Sequence, residues 1–307
     1  MREAGTIAYA KVNFTLDILD KRPDGYHEIR SIMQTISLAD GLHIRLGSGS
    51  RGIKLNVTGE HAAAAPADDT NLVVRAVRAV LAEVDIDEQS VNIEIDLEKG
   101  IPAQAGLGGG SSDAAAALTL TSRFLDLDLS QETLTRLAAG LGSDVPFFLN
   151  GDTCLVEGVG EKVTPLGSRL CTMAEQKHLV ICKPDVSVST AHAYAELDLA
   201  RESSSVRYDA TSAWLSAFEA GRELPLWNDF EPVILKLYPE IARSHALMIE
   251  AAATLGASRP LLCGSGAALF CLADDEASGQ VIARKLGKGS AGWVTVARTC
   301  GGTHDLL

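Results

Sequence analysis

No lysine stands anywhere between Lys99 and Lys162, although that interval holds the most glycine-rich loop of this 307-residue chain. The nucleoside triphosphatase loop needs a lysine directly before Ser/Thr; Gly110 occupies that place, so the motif is excluded. The dinucleotide fingerprint G-x-G-x-x-G fails as well, because counting from Gly106 puts Ser111 at its third glycine. Neither the H-R-D nor the D-F-G string of protein kinases is present. The six cysteines (154, 171, 182, 263, 271 and 300) contain no C-x-x-C pair, and the seven histidines no H-E-x-x-H. That dispersal excludes a zinc site or disulfide framework and predicts buried free thiols, a reducing cytoplasm and no permanent metal site. No apolar run has the length of a membrane helix, and Lys11 interrupts the opening segment, so neither a span nor an export signal is expected. Positive charge is scarce: 27 Lys and Arg face 40 Asp and Glu, a net charge of −13. Nucleic acid and anionic membranes are therefore excluded as partners, since both require a basic face.

What is present suits an enzyme. The length allows two domains with separate cores, and 46% hydrophobic with 22% charged residues is a globular composition. Strand signals dominate early, at Thr6–Val12, Phe14–Leu19, Ile29–Ser37, His43–Leu46 and Ile53–Val57. Residues 60–70 read as a loop and Asn71–Val84 as an amphipathic helix, followed by an alternating strand at Val91–Leu97. Ser112–Leu125 and Gln131–Leu141 read as helices, and Thr153–Glu157 with Lys162–Pro165 as a hairpin. Beyond residue 170, a strand at His178–Lys183 precedes helices at Ala191–Leu197, Ala210–Ala220, Pro232–Leu237 and Glu240–Leu255. Strands at Leu261–Cys263, Ala267–Leu272 and Trp293–Ala297 follow, with a helix at Glu276–Leu286 between the last two. Helices and strands mix without strict βαβ alternation, so the expected class is α+β, divided near residues 165–177.

The loop itself runs Pro102, Ala103, Gln104, Ala105, Gly106, Leu107, Gly108, Gly109, Gly110, Ser111, Ser112, between the strand ending at Leu97 and an alanine-rich helix. Glycine reaches positive φ, so several backbone N–H groups can converge on one anion. The helix that follows adds unpaired N–H groups and the positive end of its dipole. A phosphate group is the natural occupant. Asp113 suits a first helical turn but would repel phosphate, which predicts a cation nearby.

Two further segments carry chemistry when taken together. Lys11, in Ala10-Lys11-Val12-Asn13, is either an outward residue on an edge strand or a charge held for a purpose. Asp144, in Gly142-Ser143-Asp144-Val145-Pro146, is either a helix cap or a carboxylate facing a cleft. Phosphoryl transfer requires chiefly positioning and charge neutralisation. A carboxylate can orient an acceptor hydroxyl and take its proton, while a lysine offsets the negative charge. Lys11 offers the charge that the loop lacks.

At the level of whole segments a resemblance emerges. AKVNFTLDILDKRPDGYHEIRSIMQTISLAD (10–40), the loop at 102–113, GSDVPFF (142–148) with EGVGE (157–161), and CGSGAALF (263–270) stand in a family-specific order. That order resembles the 4-diphosphocytidyl-2-C-methyl-D-erythritol kinase family of the GHMP superfamily, and Asp24-Gly25-Tyr26-His27 is the segment other GHMP kinases lack. The resemblance implies a two-domain GHMP-kinase fold with the active site in the interdomain cleft: an ATP-binding domain over 1–166 and a second over 167–307. It implies ATP-dependent phosphorylation of the 2-hydroxyl of a cytidyl diphosphate ester in the non-mevalonate isoprenoid route. Another small-alcohol kinase, acting on homoserine or mevalonate, and a non-catalytic nucleotide-binding regulator are the alternatives. Carried onto this chain, Lys11 and Asp144 form the catalytic pair; residues 102–112 bind ATP with Asn71 and Lys99 near the adenosine; and Mg²⁺ arrives with ATP near Ser111 or Ser112. Asn13, Tyr26, His27, Thr190 and Tyr194 contact the cytidyl substrate, with His192 competing with Tyr194 for the cytosine wall. The resemblance also allows a homodimer.

Overall fold

A computed structural model describes residues 3–47, 51–172, 176–201, 208–253, 255–289 and 291–302. Two very long strands organise it: β1 (Glu3–Lys21) and β2 (His27–Leu46), joined by a turn at Gly25, whose φ is +89°. Sequence patterning predicts four shorter strands here. The polar interruptions are absorbed as bulges: pairing jumps from Tyr9↔Ala39 to Ala10↔Ile36, leaving Ser37 and Leu38 unmatched in β2. Ala8, Leu16 and Ile18 of β1 enter one core and Ala10, Val12 and Phe14 the other, the changes falling at the register shifts between Tyr9 and Ala10 and between Asn13 and Thr15.

β2 divides its pairing. Its second half meets β4 (Asn92–Glu98), beyond which lies β3 (Gly52–Thr58); its first half meets β5 (Thr153–Gly158), which pairs with β6 (Lys162–Pro165). Four helices cover this sheet: α1 (Leu72–Glu83), α2 (Gly109–Phe124), α3 (Gln131–Leu141) and α4 (Val145–Asn150). The central α2 buries Ala114–Ala117, whose small side chains let the helix sit close among its neighbours. It begins at Gly109, three residues before the sequence predicts, because Gly108 supplies a left-handed N-cap at φ +74°. α4 is too short for periodicity to reveal, although Pro146 is a helix-start signal.

A second sheet, ordered β11-β7-β10-β9, contains β7 (His178–Lys183), β9 (Leu261–Leu262), β10 (Leu269–Ala273) and β11 (Trp293–Arg298). Five helices accompany it: α5 (Thr190–Arg201), α6 (Ala210–Glu219), α7 (Glu231–Leu237), α8 (Pro239–Ala252) and α9 (Glu276–Lys288). A two-residue strand that the sequence does not announce, β8 (Trp227–Asn228), crosses back to pair in parallel with Thr15–Leu16 of β1. Strands β1–β6 thus make the first sheet, joined by β8, and β7 with β9–β11 the second. Cys154, Cys182, Cys263 and Cys271 are buried free thiols and Cys300 is half-buried; burial pushes the Cys154, Cys263 and Cys271 thiols up to about 12. No helix among the described residues is long and apolar enough to cross a membrane.

Candidate active site

The glycine loop is fastened on three sides. The Lys11 N–H donates to the Leu107 carbonyl at 2.9 Å, and the Ala267 and Ala268 N–H groups donate to Gln104 and Ala105 at 3.3 and 3.1 Å. Gly106 lies so close to Cys263 that a Cβ would come within 1.8 Å of its carbonyl oxygen, at a φ of +75°. Gly106→Ala therefore forces the loop away from the 263–266 turn; we expect a loss of about 1–3 kcal/mol of stability and a raised KM for ATP, read by thermal unfolding and kinetics. The first bond of α2 runs from Ser112 N–H to Gly108 O at 2.8 Å, so the N–H groups of Gly109, Gly110 and Ser111 have no intrahelical partner. They line a recess of 390 Å³ that includes residues 101–111, Asn71 and Lys99.

Lys11 is not on an edge. On one side β1 pairs with β2 (Lys11 opposite Thr35), on the other the Lys11 N–H is bonded to the glycine loop, and Lys11 is 3% exposed. Its ammonium donates to Asn13 Oδ1 at 2.8 Å and lies 3.6 Å from Asp144 Oδ2. Asn13 in turn donates to Ser31 Oγ at 2.8 Å, and that hydroxyl donates to the Thr15 carbonyl at 2.6 Å. Asp144 occupies the N-cap of α4, yet its carboxylate caps nothing. It faces Lys11 instead, across a 440 Å³ hollow shared with Gly106, Gly108, Thr190, Tyr194 and Gly264. Asn228 of β8 holds the far wall, donating to the Leu262 and Gly264 carbonyls at 2.8 and 2.7 Å.

A third hollow, of 610 Å³, continues from Asp144 and Ser111 to Tyr26, His27, Tyr194 and Asp198. Tyr26 is 62% exposed, so it is no core aromatic. His27 is buried, with Tyr194 stacked on its ring at 4.7 Å and an interplanar angle of 17°. Burial, then the nearby Asp144 charge, pushes the Tyr194 phenol up to about 12, so it stays neutral. Thr190 Oγ1 lies 2.9 Å from Ser265 Oγ, linking α5 to the 263–266 turn. His192 faces Glu196 and lines neither hollow, whereas Tyr194 lines both.

The family described as GHMP kinases N terminal domain matches residues 71–152. A 4-diphosphocytidyl-2-C-methyl-D-erythritol kinase of Desulfitobacterium hafniense (strain Y51) is 40% identical over 280 residues, covering 90% of this chain and 89% of the relative. The enzyme of that name from Citrifermentans bemidjiense is 36% identical, over 97% of this chain and 99% of its own. The chain belongs to the 4-diphosphocytidyl-2-C-methyl-D-erythritol kinase family. A crystal structure of 4-(cytidine 5'-diphospho)-2C-methyl-D-erythritol kinase superposes with a TM-score of 0.78 at 32% identity, covering 97% of this chain and all (100%) of that one. A homoserine kinase from Cytophaga hutchinsonii ATCC 33406 shares the fold, with a TM-score of 0.71 at 18% identity over 100% of this chain and 98% of its own. The chain is thus an α+β small-molecule kinase with the GHMP-kinase fold.

Within this kinase fold three expected residues are placed differently from their neighbours. Ser112 is fully buried and its hydroxyl donates to the Tyr9 carbonyl at 2.6 Å, so of the two serines expected near Mg²⁺ only Ser111 faces the recess. Asn71 caps α1, accepting from Val73 N–H at 2.9 Å and donating to the Pro66 carbonyl at 2.6 Å. Lys99 borders the recess, but its buried ammonium is ion-paired with Asp40 and Asp113. It is the cation that Asp113 calls for: burial raises the Asp113 carboxyl well above the usual range, and Lys99 opposes that rise. Asp40 also accepts from the Gly100 and Ile101 N–H groups at 2.6 and 2.8 Å, tying β2 to the start of the loop.

The residues that sequence reading missed are Asp40, Asp198 and Asn228. Asp198 had a legible signal, since Thr190, Tyr194 and Asp198 recur every four residues and share one face of α5. Asp40 and Asn228 had none, because their partners lie in distant segments.

Proposed function

We propose that the protein transfers the γ-phosphoryl group of ATP to the 2-hydroxyl of 4-diphosphocytidyl-2-C-methyl-D-erythritol. The observation that carries this reading is the Lys11–Asp144 pair, 3.6 Å apart where the glycine-loop recess and the Tyr26–His27 hollow meet. ATP lies in the recess with its phosphates on the Gly109–Ser111 N–H groups. Asp144 orients the acceptor hydroxyl and takes its proton as the O–P bond forms; Lys11 offsets charge on the hydroxyl and the γ-phosphoryl oxygens. The β–γ bridging oxygen leaves with its electron pair as ADP. Asn13 holds the Lys11 ammonium and borders the methylerythritol end.

Mg²⁺ fits as a passenger of ATP. The side chain available to it is the half-exposed Ser111, which suits an ion that keeps waters and phosphate oxygens in its shell. When bound, it neutralises charge across the phosphates. We place the enzyme in the cytoplasm, in the non-mevalonate route to isoprenoid precursors.

The test is transfer of label from γ-³²P-ATP. Label should appear on the cytidyl diphosphate ester and not on methylerythritol phosphate; equal labelling of both would reject the substrate assignment. Tyr26→Ala removes a face on which cytosine stacks, worth about 1–3 kcal/mol, so KM for the ester should rise roughly 10–100-fold. KM for ATP should stay near its original value, and an equal rise in both would reject the role of Tyr26.

A further inference from the structure

Asp198 belongs to no segment of the resemblance, yet it grips the imidazole that faces the pyrimidine. His27 Nε2 lies 2.7 Å from Asp198 Oδ1, while the other carboxylate oxygen accepts from Lys21 Nζ at 2.8 Å. Tyr194, one turn earlier on α5, stacks on the face of the same ring. Two residues of one helix thus hold the imidazole, by its edge and by its face. A carboxylate can only accept, so Nε2 carries the hydrogen. Burial works to raise the Asp198 pKa, but hydrogen bonds from Lys21 and His27 bring it below the usual range. No hydrogen bond to Nδ1 is present among the described residues, and Nδ1 is not among the buried polar atoms sealed from solvent. The His27 side chain lines the 610 Å³ hollow.

We infer that Asp198 is the specificity-determining positioning residue for the base. It fixes His27 as the Nε2–H tautomer, which leaves Nδ1 as an acceptor aimed at the pyrimidine edge. The 4-amino group of cytosine donates to that acceptor; the 4-oxo group of uracil cannot, and it sets two lone pairs against each other. A site built around one such bond discriminates strongly, because the wrong base leaves a buried polar atom unpaired. This assignment rests on the cytidyl reading of the substrate.

The experiment pairs nitrogen NMR of His27 with calorimetric binding of cytidine diphosphate and uridine diphosphate, in the wild type and in Asp198→Asn. The asparagine amide can donate to Nε2 and so drive the proton to Nδ1. The wild type should show the Nε2–H tautomer at pH 8 and prefer cytidine diphosphate by about 100-fold; the variant should narrow that preference at least about tenfold, with KM for ATP unmoved. A wild-type Nδ1–H tautomer or imidazolium, or equal loss of both nucleotides in the variant, would overturn the assignment. The wild-type spectrum decides even where the variant does not fold. A protein that selects cytidine diphosphate but transfers no phosphate to the ester would overturn the proposed reaction and leave the role of Asp198 standing.

Discussion

Asp144→Asn should lower kcat by roughly 10²–10⁴-fold while leaving ATP binding and thermal stability nearly unchanged. The substitution keeps shape and volume but removes the proton acceptor and the negative charge beside Lys11. Since the Asp144 carboxylate makes no capping bond to α4, no helix contact is lost. Asp144 is half-buried and Lys11 3% exposed, so the ammonium would be left beside a neutral amide while keeping its bond to Asn13. Steady-state kinetics, ATP calorimetry and a melting curve together separate this outcome from a folding defect. Turnover at the wild-type level would remove Asp144 from the mechanism.

Lys99→Met should be the most damaging change to the fold among the residues bordering the nucleotide recess. Lys99 is 5% exposed and pairs with Asp40 and Asp113, both buried. Removing one partner of a buried ion pair typically costs about 3–5 kcal/mol, because the charge left behind has lost both water and its counterion. Here two carboxylates are left, and Asp113 Oδ1 already lacks a hydrogen-bond partner. Chemical denaturation measures the loss, and adding Asp113→Asn should recover part of it. The pH dependence has a definite sign. Burial and the neighbouring carboxylate raise the folded pKa of Asp113 above its unfolded value, so the folded state binds the proton more tightly. That stabilisation is fully present below the unfolded pKa and lost as pH rises through the folded one. With the lysine gone the rise is larger, so the variant should be distinctly more stable at pH 5 than at pH 8. Equal stability at both values would show that Lys99 does not govern the cluster.

Local signals were enough for most of the elements and for the loop. The apolar stripe of α1, the alternation in β4 and the glycine run before α2 are all written in neighbouring residues, and the protein forms those elements there, with α2 starting three residues early. The long strands were harder, because a bulge at Ser37–Leu38 looks like a break to any rule that assumes strict alternation. β8 could not be read at all: two residues carry no period, and Asn228 acquires its importance only from the carbonyls of Leu262 and Gly264. The same limit applies to charge. Lys99 looked like a ligand-facing residue because it precedes the loop, but its true neighbours lie 59 and 14 positions away. The convergence of Lys11 with Asp144 was inferred from chemistry and resemblance; the fold brings them together through β1 and the start of α4.

A ternary structure with a non-hydrolysable ATP analogue and the cytidyl ester tests the central claim most directly. The 2-hydroxyl should lie about 2.6–3.2 Å from an Asp144 carboxylate oxygen, with the γ-phosphorus beyond it and Lys11 beside both. A hydroxyl turned away from Asp144, or a triphosphate bound elsewhere than on the Gly109–Ser111 N–H groups, would contradict it.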